Sequence, residues 1–126
     1  MSIDVSLESK SSNSSTNEAE KTNQKWYEGG TLHGKKGVDW QKASQKNKLA
    51  TCADFIAGIW KQKKFKESIQ KNINSVDDIK FLANKLVIEL DVFFKKTGDD
   101  TANKFLANQK VSMTATQIIF LEGWLK

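Results

Sequence analysis

SVDDIKFLANKLVIELDVFFKKTG, residues 75–98, decides the fold. Ile79, Leu82, Ala83, Leu86, Val87, Leu90, Phe93 and Phe94 recur at steps of three and four. At 3.6 residues per turn they share one broad helical face, which water drives against other apolar surface. Ser75 and Asp78 have the spacing of a capping box, and Asp77 and Asp78 suit the positive end of the helix dipole. Lys95 and Lys96 suit the negative end, and Gly98 suits the left-handed position after the last turn. Pattern, cap and charge agree on one amphipathic helix running to Gly98 that must pack on neighbours.

The neighbours follow on either side. In NKLATCADFIAGIWKQKKF, residues 47–65, the positions Leu49, Cys52, Ile56, Ile59 and Lys63 fall on one stripe, flanked by Ala53 and Trp60. Phe65, Ile69 and Ile73 continue at steps of four, so that helix extends or restarts there. A shorter helical stretch, WQKASQ, opens with Asp39 as its N-cap. On the far side, Asp99 or Asp100 caps a short helix carrying Phe105 and Leu106. Val111-Ser112 reads as a break, with Ser112 capping MTATQIIFLEGWLK. That last helix is apolar on most sides through Ile118, Ile119, Phe120, Leu121, Trp124 and Leu125, so it is central to the core or covered by a partner. No repeat and no strand-like series interrupts the pattern. The expected fold is all-α, a small bundle of four or five helices with short connections.

A chain of 126 residues suggests one domain. Residues 1–24 are rich in Ser, Asn, Thr and Glu and have no aromatic residue, the composition of a disordered N-terminal arm. Ile3, Val5 and Leu7 alternate there, as in a strand that pairs with a partner. The helical domain is then 25–126. It opens on a glycine-rich aromatic loop, 25–38, and Lys25–Trp40 together hold two of the four tryptophans, the only tyrosine, the only histidine and four of the seven glycines.

All twenty basic residues are lysine. Without arginine, planar bidentate recognition of phosphate or guanine is excluded, and lysine supplies point charges alone. Residues 34–72 carry ten lysines against Asp39, Asp54 and Glu67, net +7, while 73–126 balance and 1–24 are net −2. The basic character belongs to one segment.

Several chemistries can be weighed against that pattern. EGGTLHGKKG does not have P-loop spacing: Gly30 and Gly34 stand four apart, and Lys35 is followed by Lys36. His33 is the one candidate catalytic imidazole, with Glu28 or Asp39 to orient it and Thr31 or Cys52 as nucleophile. No metal-ligand spacing exists, and Asp77-Asp78 and Asp99-Asp100 read as caps, so no metal or cofactor is expected. Cys52 is the only cysteine and cannot form an internal disulfide. No leader-like apolar run stands near Met1 and no run is long enough for a bilayer, so the expected location is cytoplasmic.

For nucleic acid, the lysines of 34–72 would follow a backbone while Trp26, Tyr27, Trp40 and Trp60 stack on bases. FLANQKVSMTATQII resembles a helix-turn-helix, but its turn is about two residues too long and its second helix is apolar where a groove needs polar groups. KQKKFK, Lys61–Lys66, would attract an anionic surface at about 1 kcal/mol per charge, given an exposed apolar face beside it. LATCADFIA, residues 49–57, resembles the cysteine-bearing segment of the helical periplasmic acid-stress chaperones. That family pairs its cysteine with a second one; Cys52 stands alone, and no function carries over.

The sequence therefore points to a small non-enzymatic accessory or interaction protein. Its partner contacts are expected at Trp26, Tyr27, His33 and Trp40 in the aromatic region and at Lys61, Lys63, Lys64 and Lys66 on the lysine face. Self-association through the C-terminal helix is a further expectation. Nonspecific nucleic-acid binding through the lysine-rich segment is the rival, and a small enzyme using His33 comes third.

Overall fold

The pattern of residues 75–98 becomes helix over only part of its length. A computed structural model of the chain describes residues 24–126, and the arm expected at 1–24 lies outside them but for Gln24. Asp78 Oδ2 accepts from the backbone N–H of Ser75 at 3.1 Å and of Asn74 at 2.8 Å, so the expected cap forms. The chain then makes a 3-10 turn, Val76–Ile79, before the α-helix proper begins at Lys80.

Six α-helices are present among the described residues. They are α1 (Gly37–Lys42), α2 (Gln45–Lys61), α3 (Glu67–Gln70), α4 (Lys80–Phe93), α5 (Asp100–Asn108) and α6 (Val111–Leu121). Four have nine residues or more; α1 has six and α3 four. The all-α bundle is as the periodicity dictates. Helix α4 is its centre, packed on α2 and on α6, while α1 packs on α5. Its inner face, Leu82, Ala83, Leu86, Val87 and Leu90, is buried against Cys52, Ala53 and Ile56 of α2 and Val111, Ala115 and Ile119 of α6. Each fully buried aliphatic side chain of this kind contributes about 1.5–3 kcal/mol.

Several helix ends differ from the sequence expectation. Helix α4 stops at Phe93 and does not reach Gly98. Phe94 turns inward beside Trp40, its carbonyl accepts from Gln41 Nε2 at 2.6 Å, and Asn103 holds Thr97 through both its amide oxygen and its amide nitrogen. Side-chain bonds to the backbone here replace the next helical turn. Helix α1 starts at Gly37, so Asp39 sits inside it and accepts from the Lys36 N–H at 3.2 Å. Of the two aspartates offered as the cap of α5, Asp99 does the capping, accepting from Thr101 N at 2.9 Å. Ser112 is not a cap: α6 begins at Val111, whose N–H is engaged by the Lys35 carbonyl at 2.9 Å.

Two isolated antiparallel bridges close the bundle. Lys36 pairs with Lys110, and Phe65 with Leu125. Through the second, the segment after α2 and the tail after α6 lie side by side: the Lys66 N–H donates to the Trp124 carbonyl at 2.8 Å, and the Lys126 N–H to that of Lys64 at 3.1 Å.

Candidate functional site

The aromatic loop is a clamp. Leu32 is buried, and its N–H donates to Thr51 Oγ1 at 3.2 Å. The Thr31 N–H donates to Asn47 Oδ1 at 2.9 Å, and Asn47 Nδ2 returns a bond to Thr31 Oγ1 at 2.8 Å. These bonds lay residues 31–32 along α2. The glycines make the approach possible. A Cβ on Gly30 would lie 2.7 Å from Thr51 Cα, and one on Gly37 would collide with the Leu106 carbonyl and fall 2.6 Å from the Phe94 ring. Only Gly29 of the loop's four uses the left-handed region, at φ 89°.

Trp40 is 1% exposed, which corrects its assignment as a partner contact. Its ring fills the space between α1 and the end of α4, and its Nε1–H donates to Asp91 Oδ1 at 2.9 Å. The Lys48 ammonium shares that oxygen at 2.9 Å and lies 5.3 Å from the Trp40 ring centroid. A buried indole needs such an acceptor, and the acceptor sits fifty-one residues away. Trp26 and Tyr27 are half-buried, packed edge to face at 5.5 Å. Trp26 Nε1 donates to Asp77 at 2.8 Å, and the Lys80 ammonium stands 5.4 Å from its ring. Both rings are tied down, with part of their surface left to solvent.

His33 Nε2 lies 2.7 Å from Asp54 Oδ2, with the two side chains 41% and 48% exposed. Its ring meets Phe55 edge to face at 5.5 Å. The orienting carboxylate is thus Asp54, one helix away, and neither Glu28 nor Asp39; those two accept from the backbone N–H groups of Lys25 and Lys36. A His–Asp pair can hold an imidazole for proton transfer. The nucleophiles proposed for it are otherwise engaged. Thr31 Oγ1 accepts from Asn47, and Cys52 is fully buried on α2, where burial first and the Asp91 charge second push its thiol well above the usual range. A thiol so held is unreactive.

The lysine face has more structure than its composition suggests. Helix α2 ends in a Schellman motif: the Lys64 N–H reaches the Ile59 carbonyl at 3.1 Å and the Lys63 N–H the Trp60 carbonyl at 2.9 Å. The left-handed residue of that motif is Lys63, at φ 57°, where glycine would sit without strain. Helix α6 closes on glycine instead, Gly123 at φ 75°. The bridge between the two following segments brings the two ends together. The Lys66 ammonium reaches within 3.6 Å of where a Cβ on Gly123 would lie. Lys61, Lys63, Lys64, Lys66 and Lys126 are all exposed there. So are the last two residues of α6, Phe120 at 71% and Leu121 at 80%. The end of the bundle where the turn after α2 meets the tail after α6 therefore carries exposed lysines, with two exposed apolar side chains on the adjoining last turn of α6.

The sequence had separated these parts: lysines as a charge run, Phe120 and Leu121 as core or interface. Their adjacency depends on the Phe65–Leu125 pairing, which no local pattern announces. No family model, no curated protein and no solved structure matches the chain. Among the described residues, no helix is long and apolar enough to cross a membrane.

Proposed function

We propose that the protein is a non-enzymatic interaction module that docks an acidic protein surface with an apolar centre. The docking end is the one that holds Lys61, Lys63, Lys64, Lys66 and Lys126 together with Phe120 and Leu121. The observation that carries this reading is the exposure of Phe120 and Leu121 on the last turn of α6, whose following segment pairs with the lysine turn after α2. Interfaces with this anatomy bury an apolar centre and steer the encounter through a charged rim. A second feature supports it. Lys63 stands in a left-handed position where glycine would be more stable by about 1 kcal/mol, and strain of this kind concentrates where function needs a side chain. The contact set of the aromatic region shrinks to His33 and the outer edges of Trp26 and Tyr27, because Trp40 belongs to the core.

Nucleic acid is the rival occupant of the same lysines. It is less well served, since Trp40 and Trp60 are turned toward the core and Trp26 is pinned to Asp77, leaving few rings for base stacking. The experiment uses the full chain, a Phe120→Ser/Leu121→Ser variant and a Lys63→Glu/Lys64→Glu variant as baits in lysate of the source organism. A protein retained by the parent chain and lost by both variants supports the reading; the same proteins on all three baits overturn it. Salt-sensitive oligonucleotide binding lost only in the lysine variant transfers the surface to nucleic acid. Sedimentation velocity identifies a second copy as the occupant if the parent chain dimerises and the Phe120→Ser/Leu121→Ser variant does not.

A further inference from the structure

A cleft of about 760 Å³ opens where α1, the start of α2, the end of α4 and α5 meet, on surface separate from the docking end. Five lysines line it: Lys42, Lys48, Lys95, Lys96 and Lys104, facing only Asp91 and Asp100. Asp91 is already engaged by Trp40 and Lys48. Among the described residues, Lys42, Lys95, Lys96 and Lys104 make no ion pair. Trp40 and Phe94, both nearly inaccessible, form the base, and Val38 at the rim is partly exposed.

Helix dipoles explain some of these lysines. Lys42 ends α1, and Lys95 follows the last turn of α4, where cations are favoured. They do not explain the set. Lys48 stands in the first turn of α2, the positive end, and Lys104 in the middle of α5. Lysines from four parts of the fold line one concavity, three in excess of its carboxylates. A cleft lined by one sign of charge over low-dielectric walls focuses the field and concentrates the opposite ion. Its volume falls within the range of small-molecule sites, about 300–1,000 Å³.

We infer that this cleft binds a phosphorylated small molecule of nucleotide size, its phosphates among Lys42, Lys95, Lys96 and Lys104 and its apolar body against Val38 and Ala107. Lysine suits this role as a point charge on phosphate. With no arginine fork and no glycine-rich cradle in the cleft, the attraction is electrostatic and salt-dependent, and it does not discriminate between bases.

Calorimetric titration of the full chain with ATP, pyrophosphate and adenosine at two salt concentrations tests it. ATP should bind, more weakly at the higher salt, with pyrophosphate weaker and adenosine weakest. A Lys42→Glu/Lys104→Glu variant, confirmed folded by circular dichroism, should lose roughly tenfold or more in ATP affinity, because both residues line the cleft. The Lys63→Glu/Lys64→Glu variant changes net charge equally at the other surface and should lose less than about twofold if only screened long-range field is removed. Equal losses in the two variants, or no ATP binding at low salt, overturn the assignment. Equal affinity for pyrophosphate and ATP overturns the apolar subsite.

Discussion

The loop at 25–38 and the turn at 61–66 present opposite outcomes from similar materials. Each mixes aromatic and basic residues just outside a helix. With Trp40 of α1 just after it, the loop concentrates tryptophan, histidine and glycine, the residue types of active sites, yet the strongest interactions here are with the protein's own fold: Trp40 with Asp91, Leu32 with Thr51, Trp26 with Asp77. The turn is a plain lysine run around one buried ring, Phe65, yet its lysines stay in solvent, and its pairing with Leu125 brings it to the end of α6 where Phe120 and Leu121 are exposed. Residue type says what a segment can contact. Direction of the side chain says what it does contact, and direction is set by the backbone it pairs with.

That contrast can be broken by mutation. The largest effect belongs to Trp40→Ala, which removes a buried ring and leaves the Asp91–Lys48 pair without the indole N–H. It should cost about 3–5 kcal/mol of stability in urea unfolding. A loss below 1 kcal/mol would return Trp40 to the surface and the loop to the list of contact candidates. Next come the glycines. Gly37→Ala puts a methyl against the Leu106 carbonyl and the Phe94 ring and should cost about 1–3 kcal/mol, whereas Gly34→Ala enters open space and should stay within about 0.5 kcal/mol. Equal effects at the two positions would mean that the glycines serve as hinges and not for close packing. The smallest effect sharpens the comparison from the other region. Lys63→Gly should raise stability by about 1 kcal/mol by relieving the left-handed lysine, while weakening retention of the partner on the bait. Gain in stability without change in retention would remove Lys63 from the contact surface.

Most of the framework was legible in the chain. Heptad-like spacing in residues 75–98 and 47–65 identified α4 and α2, and the Ser75–Asp78 cap formed as spaced. Helix ends were less legible because they answer to distant groups. Phe94 leaves its helix to meet Trp40 and Gln41; Val111 enters one early because its N–H has the Lys35 carbonyl as partner. The candidate sites follow the same division. The single histidine was visible, but its carboxylate partner is on α2, twenty-one residues on, where the sequence offered nearer acidic residues. The lysines of the cleft come from four elements, and in sequence Lys95 and Lys96 had a sufficient local role at the end of a helix.

By itself, then, the sequence determined which segments are helical, which faces are apolar, that the basic residues are all lysine with the net positive charge concentrated in 34–72, and that phosphate-loop and metal-ligand spacings are missing. Those are properties of short range: propensity, periodicity and side-chain chemistry act within a few turns. The tertiary structure alone decided that Trp40 faces inward, that Asp54 meets His33, and that the lysine turn pairs with the tail that follows Phe120 and Leu121. Such pairings join residues twenty to sixty positions apart. Their geometry follows from how the helices bury their stripes against one another, and no spacing along the chain encodes it.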